Sequence, residues 1–464
     1  MTRRSFLASS AALAAQSKAP QNIVLIVVDD LGYKDFNCYS TPSHPVPYPT
    51  PNVNELVKNS TLFNRFYAAC PVCSPTRASI LTGKYPTRTG ITDWIPGMEA
   101  PGSSKLETPP NKNELALSEK TIAEYLKPLG YASASFGKWH LGGAGFSPTD
   151  QGFNLNIGGD HKGQPNAYLA PFQMPGLTDA PGRSELTTYL TQLAKEWVAK
   201  QAAAQKPFFL YLPQFGVHTP LGSDPEIVSR YREAQVLSPT YAAMIECIDT
   251  SLGSIRRQLE RSGVADNTLI ILTSDNGALL NARGNRITSN LPLREQKGYV
   301  YEGGIRVPCI IHDPRRKQAA TFEQPACSID LLPTILDWLG QPTPVGIDGT
   351  AIFSRKETPL YYWHYPHYHG AGGKPSGAIM DGDYKLIEDF ETGRTELYNV
   401  KTDIGETKDL SATDPARRSN LYLRLRRWRE ETKALMPISR RTEASLQPPV
   451  KRSTQTPRIE TAPG

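Results

Sequence analysis

Cys73 stands at the centre of Cys70-Pro-Val-Cys-Ser-Pro-Thr-Arg-Ala-Ser-Ile-Leu-Thr-Gly83, a stretch whose residue types could bind and attack an anion. Ser74 can cap a helix, Pro75 suits its first turn and Gly83 its end. A side chain held just ahead of such a helix meets free N–H groups and the positive end of the dipole. Arg77, about one turn in, can fork onto the same anion. The expectation is a reactive residue beside an oxyanion pocket. Against it, a lone cysteine is more often a small buried hydrophobe. Cys70-Pro-Val-Cys73 also has thiol-redox spacing, but no second Cys pair supports a zinc site.

Other chemistry-bearing residues fall at the ends of apolar runs. Ile23–Val28 is continuous and β-branched, then stops at Asp29-Asp30-Leu-Gly. Two adjacent carboxylates at the exit of a buried strand are costly unless something positive meets them, and a hard divalent cation is the simplest candidate. A hydrated turn is the plain alternative. The pattern recurs where Thr268–Thr273 runs into Ser274-Asp275-Asn276-Gly, again offering hard oxygen donors. Ala132–Phe136 leads into Gly-Lys138-Trp-His140, and Phe208–Leu212 leads into a segment carrying His218. Lys297 lies in a polar, Gly-containing loop before the strand Val307–His312. Each histidine alone reads more readily as a structural hydrogen-bonder. Four strand ends carrying acids, a lysine and histidines point to one shared site, because open α/β sheets bind ligands beyond the carboxyl ends of their strands.

The elements that must position these residues alternate in the rhythm of a doubly wound, mostly parallel α/β sheet flanked by helices. Leu190, Leu193 and Trp197 mark one crossover helix. Tyr241, Met244, Ile245, Ile248, Leu252, Ile255 and Leu259 line one face of a longer one that ends near Gly263. Residues 328–339 form a closing helix. After about Pro342 the chain turns Pro- and Gly-rich, with short segments at 382–387 and 394–399 that predict a smaller C-terminal domain of antiparallel sheet. Asp414-Pro415 opens one last helix, with Leu421, Leu425 and Trp428 on one face. The boundaries expected are an export signal over 1–20, a catalytic domain over 21–345, a subdomain over 346–436 and a disordered tail over 437–464. Tyr361–His369 is dense in aromatics and imidazoles; His364, His367 and His369 are candidate substrate contacts beside a stacked sugar, and an aromatic domain interface is the competing account.

Cys-x-Pro-x-Arg followed by Ala-Ser-Ile-Leu-Thr-Gly closely resembles the activation signature of the formylglycine-dependent sulfatases, within the alkaline-phosphatase-like superfamily. Gly130-Tyr-Ala-Ser-Ala-Ser-Phe-Gly-Lys138 resembles that family's second signature, and the resemblance spans roughly 22–435. It implies that Cys73 is oxidised to formylglycine by a maturation enzyme of the host. It implies that Asp29, Asp30, Asp275 and Asn276, with residue 73, hold a divalent cation, usually Ca²⁺ with Mg²⁺ as the alternative. Arg77, Lys138, His140, His218 and Lys297 match the sulfate-binding and catalytic positions, and none departs from the pattern. The implied reaction uses the aldehyde hydrate: one hydroxyl attacks sulfur while Asp275 or a neighbour takes its proton, and His218 protonates the leaving oxygen. The second hydroxyl, with His140 as base, then expels sulfate. An aryl sulfate or a sulfated carbohydrate is the expected substrate, of galactose or hexosamine type on analogy. The rivals are a phosphonate monoester or phosphodiester hydrolase of the same superfamily and a non-catalytic, Ca²⁺-dependent glycan-binding protein.

Composition narrows the classes. The chain has 464 residues and a net charge of +6, yet residues 411–464 hold twelve Lys/Arg against five Asp/Glu. The basicity is therefore a C-terminal feature, and a body-wide nucleic-acid footprint is not expected. Arg3-Arg4-Ser-Phe-Leu and the Ala-rich run to Ala15 resemble a twin-arginine export signal, so a periplasmic or extracellular protein is expected. No run approaches eighteen apolar residues, so stable membrane insertion is not expected. Six cysteines in a chain this long do not make a disulfide scaffold.

Overall fold

The computed structural model describes residues 21–440 apart from 317 and 358. The expected export signal lies outside the described residues, as does the tail beyond residue 440. Eight strands build the main sheet: β1 (Asn22–Val28), β2 (Thr61–Phe63), β3 (Ala132–Phe136), β4 (Leu155–Ile157), β5 (Phe208–Pro213), β6 (Thr268–Ser274), β7 (Cys309–His312) and β8 (Ala320–Phe322). Their spatial order is β8-β2-β7-β6-β1-β5-β3-β4. The pairings from β6 across to β4 are parallel, and β7 runs antiparallel between β6 and β2. The strands whose ends drew attention in the sequence, β6, β1, β5 and β3, are thus four consecutive neighbours. That adjacency is what brings their exits together.

Alternation along β1 shows why an unbroken apolar run was needed. Val24, Ile26 and Val28 enter the core shared with α2 (Leu186–Ala203) and α3 (Pro239–Arg261). Ile23, Leu25 and Val27 enter the opposite core, which holds Ile80 and Leu81 of α1 (Cys73–Thr82) and Leu332 and Ile335 of α4 (Leu331–Trp338). With both faces covered, every second residue must be apolar on each side. All seven residues predicted to face the core from the long helix are buried. Gly263, at φ +67, follows its end in the left-handed conformation.

The smaller sheet is antiparallel, in the order β9 (Tyr361–Tyr365), β10 (Ser376–Asp381), β11 (Tyr384–Asp389) and β12 (Thr395–Asn399). Helix α5 (Pro415–Glu431) covers it, with the Asp414 side chain accepting from Arg417 N and Leu421, Leu425 and Trp428 buried. The sheet is joined to the main domain by a buried charge cluster. Lys385 Nζ lies 2.9 Å from Glu302 Oε1 and 2.9 Å from Glu406 Oε1, and Arg306 Nη1 lies 3.3 Å from Glu302 Oε2.

Three expectations are corrected. Helix α1 begins at Cys73 and is preceded by extended Val72, two residues earlier than a Ser74 cap with Pro75 as the first helical residue predicts. Ser74 Oγ instead accepts from the backbone N–H of Ile95, a tertiary partner that local pattern does not reveal. The disordered tail does not start at 437, because Ile438–Ser439 pairs antiparallel with Leu106–Glu107. The aromatic stretch is a domain interface: Tyr361, Trp363 and Tyr365 are fully buried, Trp363 Nε1 donates to Ala68 O at 2.8 Å and Tyr365 OH to Asp93 Oδ1 at 2.9 Å. Among the described residues, no helix is long and apolar enough to cross a membrane.

Candidate active site

Cys73 and Arg77 stand on the first turns of α1 and Lys297 in a loop, and the other functional side chains are delivered by sharp exits from buried strands. The chain leaves β1 through Asp29 and then Asp30, which takes φ +58, and leaves β3 through Lys138 to His140, also at φ +58. Left-handed backbone in non-glycine residues is uncommon and persists where surrounding structure demands it. The exit of β6 is clamped at Gly277, where a Cβ would meet Gly303 O at 1.9 Å. This close approach sets Asp275 and Asn276 against the loop that carries Lys297.

The charged groups interlock. Lys138 Nζ donates to Asp29 Oδ2 at 2.6 Å. Arg77 Nε and Nη2 both reach Asp275 Oδ2 at 2.8 Å, and Arg77 Nη1 donates to Lys138 O. Lys297 Nζ sits 2.7 Å from Asp30 Oδ1, which also accepts from Asn276 Nδ2 at 2.8 Å. His218 Nε2 lies 3.7 Å from Asp30 Oδ2. Burial pushes the Asp29 carboxyl up to about 8 despite Lys138. Burial acts on Asp30 in the same direction, but Lys297 and His218 outweigh it and hold that carboxyl below the usual range. Lys297 is itself raised: burial opposes its charge, and Asp30 more than compensates.

The two histidines are set in defined tautomers. His140 Nε2 lies 2.6 Å from Ile95 O, and a carbonyl only accepts, so Nε2 carries the proton. Burial, then Lys138, hold this imidazole well below the ordinary histidine range and therefore neutral. Its bare Nδ1 faces Cys73 Sγ at 3.4 Å. His218 Nδ1 likewise donates to Thr219 O, leaving Nε2 toward Asp30. Burial, then Lys297, push His218 down to about 3. The Cys73 thiol is raised by burial, which outweighs Lys138 and Lys297. A thiolate nucleophile is disfavoured there.

A divalent cation fits this donor set. Asp29, Asp30, Asp275 and Asn276 are fully buried hard-oxygen donors, and Asp29 Oδ1 and Asn276 Oδ1 have no hydrogen-bond partner among the described residues. Asp29 and Asp30 carboxylate oxygens and a His218 ring nitrogen lie within 4.8 Å of one another. Oxygen-only donors of this kind select Ca²⁺ or Mg²⁺. Three carboxylates face three cations, Arg77, Lys138 and Lys297. A divalent ion would leave two surplus positive charges, which suits a sulfate group.

Cys73, His140, His218 and Lys297 line the floor of a cavity of about 1520 Å³. The imidazole cluster predicted to contact substrate is split by the fold. His369 lines this cavity, with Nδ1 accepting from Ala371 N. His364 is buried with its Nε2 at Leu435 O, and His367 is buried against Thr92 Oγ1 at 2.9 Å. Strand alternation accounts for His364, which packs within the small domain, and the domain interface accounts for His367, which lies just beyond the strand. Sequence reasoning passed over His161 and Lys162, which also line the cavity. They follow β4 in a Gly-rich loop, so the strand-exit rule applied to Leu155–Ile157 would have found them. Trp94 and Glu114, also on the wall, carry no such signal.

Comparison with known proteins agrees with this geometry. Residues 21–341 match the sulfatase family model, and residues 295–431 match the model for the C-terminal region of N-sulphoglucosamine sulphohydrolase. The chain is 34% identical to human arylsulfatase A (Homo sapiens) over 78% of its length and 74% of that protein's. It is 30% identical to mouse N-acetylgalactosamine-6-sulfatase (Mus musculus) over 86% of its length and 78% of that protein's. The solved structure of Ps i-CgsB in complex with k-i-k-neocarrahexaose superposes with a TM-score of 0.73 at 28% identity, covering 88% of this chain and 92% of that one. The protein belongs to the sulfatase family, with the alkaline-phosphatase-like fold, and is a sulfuric ester hydrolase.

Proposed function

We propose that the protein removes sulfate from a sulfated carbohydrate, using Cys73 converted to formylglycine and a divalent cation, Ca²⁺ by preference, held by Asp29, Asp30, Asp275 and Asn276. The observation that carries this reading is the pair of orphaned buried oxygens, Asp29 Oδ1 and Asn276 Oδ1, at a site where Cys73 meets the bare Nδ1 of His140. The raised thiol argues against Cys73 acting as it stands. Relatives named for N-acetylgalactosamine 6-sulfate, and a neighbour solved with a hexaose, support a carbohydrate substrate. The cavity exceeds the roughly 300–1,000 Å³ of ordinary small-molecule pockets. The N-terminal Arg3-Arg4 and Ala-rich run support export to the periplasm or beyond.

When present, the hydrated aldehyde supplies the attacking oxygen and the cation draws charge from the sulfate oxygens. The chain's own side chains do the rest. Arg77 is locked by Asp275 and by Lys138 O, so it orients rather than moves. Lys138 and Lys297 present fixed positive charge to the non-bridging oxygens. His140 takes a proton at residue 73 through Nδ1, a role its Nε2–H bond to Ile95 enforces. His218 lines the cavity beside the protonated Lys297, and the two share Asp30. The approach of an anionic ester raises the proton affinity of His218, and the proton then passes to the leaving oxygen. Aryl sulfate and aryl phosphonate turnover, measured on protein whose peptide mass shows the aldehyde at position 73, tests this. Sulfate cleavage well above phosphonate cleavage is expected. The reverse order would make it a phosphoryl-type hydrolase, and no turnover by aldehyde-bearing protein would make it a binding protein.

A further inference from the structure

Beside the catalytic cavity lies a second one of about 620 Å³, and the two share Thr219, Pro220, Leu279 and Asn281 as walls. Thr219 follows His218, while Leu279 and Asn281 follow Asn276 by three and five residues. The second cavity is therefore a lateral continuation of the first, starting at the catalytic floor. Its outer wall is a hairpin, Asn281–Ala282 paired with Asn285–Arg286, which contributes Arg283 and Arg286.

Two features of this hairpin are unexpected for a simple surface turn. Its corner residues, Arg283 and Gly284, take φ of +49 and +80, the pattern of a two-residue turn that Asn-Gly fills at least cost. An arginine there is an expensive choice unless its side chain is used. Moreover, no Asp or Glu lines the second cavity, and neither arginine has a carboxylate within 4.0 Å among the described residues. Arg286 Nε only donates to Thr288 O at 3.3 Å, and both side chains are exposed. Two uncompensated guanidinium groups beside Leu237 and Ile287 offer anion binding next to an apolar surface for a sugar face.

We propose that this arm is a subsite for a neighbouring sugar that bears its own anionic group, so that the preferred substrate is a polyanionic chain with a second sulfate or a uronate carboxylate adjacent to the ester that is cut. The inference rests on the sulfated-carbohydrate reading above and deepens it. It places Arg283 and Arg286 as specificity residues outside the reaction centre. They act on binding and leave the chemical step untouched.

The test compares the aldehyde-bearing full-length enzyme with Arg283→Asn, Arg286→Gln and the double variant. Four substrates are needed: an aryl sulfate, and sulfated oligosaccharides whose neighbouring residue is neutral, sulfated or a uronate. The wild type is expected to show a KM about tenfold lower for an anionic neighbour than for a neutral one, an advantage that falls as salt is raised. The double variant should lose that advantage with kcat unchanged, and its aryl sulfate turnover should match wild type, which also reports correct folding. Preference for the sulfated or the uronate neighbour identifies which anion the arm takes. Equal KM values for neutral and anionic neighbours in the wild type, or a double variant that keeps the advantage, would overturn the subsite while leaving sulfate hydrolysis intact. Absent aryl sulfate turnover by aldehyde-bearing wild type would instead overturn the reading beneath it.

Discussion

Two of the buried charge clusters among the described residues differ in what they leave unfinished. At the domain junction, Lys385 and Arg306 face Glu302 and Glu406, charge for charge, and all four are buried. At the strand exits, Arg77, Lys138 and Lys297 face Asp29, Asp30 and Asp275, equally balanced. Glu406 Oε1 at the junction also lacks a hydrogen bond but lies 2.9 Å from Lys385 Nζ; only the second cluster joins bare carboxylate and amide oxygens to neutral histidines of fixed tautomer and a large cavity at its edge. Buried ion pairs by themselves are weak grounds for function, since they serve equally to specify a junction. What marks the active site is donor capacity that the chain itself does not consume.

The comparison can be broken by substitution. Cys73→Ala should have the largest effect, lowering aryl sulfate turnover by about 10⁴-fold or more, since on the proposed mechanism it removes the precursor of the attacking group. Its unfolding midpoint should stay near wild type. Asp29→Asn should lower turnover by about 10²–10³-fold. Stability should fall only modestly, because burial already disfavours the carboxylate it replaces while Lys138 loses an ionic partner. Lys385→Met should do the opposite, costing about 3–5 kcal/mol in denaturant unfolding by stranding two carboxylates, with kcat near normal where the protein remains folded. If Asp29→Asn unfolded the protein and Lys385→Met did not, the two clusters would have to exchange roles. Chelation sharpens the same contrast: it should abolish turnover and lower the melting temperature, and added Ca²⁺ at about 100 times its Kd should restore about 2.7 kcal/mol.

The smallest effect concerns the loop that fixes the His140 tautomer. Asp93, two residues before Ile95, accepts from Tyr365 OH and Trp94 N, and burial pushes its carboxyl up to about 7. The folded protein thus keeps a proton that the unfolded chain releases near pH 4. Stability from this group is present below about pH 4 and is lost as pH rises toward 7. Asp93→Asn should flatten that part of the stability–pH curve; an unchanged slope would contradict the assignment.

Much of the site was legible in sequence because its residues sit where apolar runs stop. Asp29, Lys138, His218 and Asp275 each follow a strand buried on both faces, and a strand exit is a local, readable event. Lys297 was placed by resemblance rather than by pattern, since a lysine in a Gly-containing loop looks solvated until Asp30 is seen beside it. His364 and His367 misled because composition does not report which way a side chain faces: β9 turns His364 toward Phe390 and Leu435 within the small domain, and His367, just beyond the strand, is buried against Thr92. The helix start at Cys73 was displaced by two residues for a similar reason. Ser74 answers to Ile95, twenty-one residues away. Local propensity reads caps and turns well, but partners recruited through tertiary structure leave no mark near the residue that recruits them.

The account stands on residue 73 being a precursor. Aryl sulfate turnover, measured on preparations whose aldehyde fraction at position 73 is known from peptide mass, tests this most directly. The rate should rise in proportion to that fraction and extrapolate to zero at none. Full turnover by protein carrying only the thiol would contradict it.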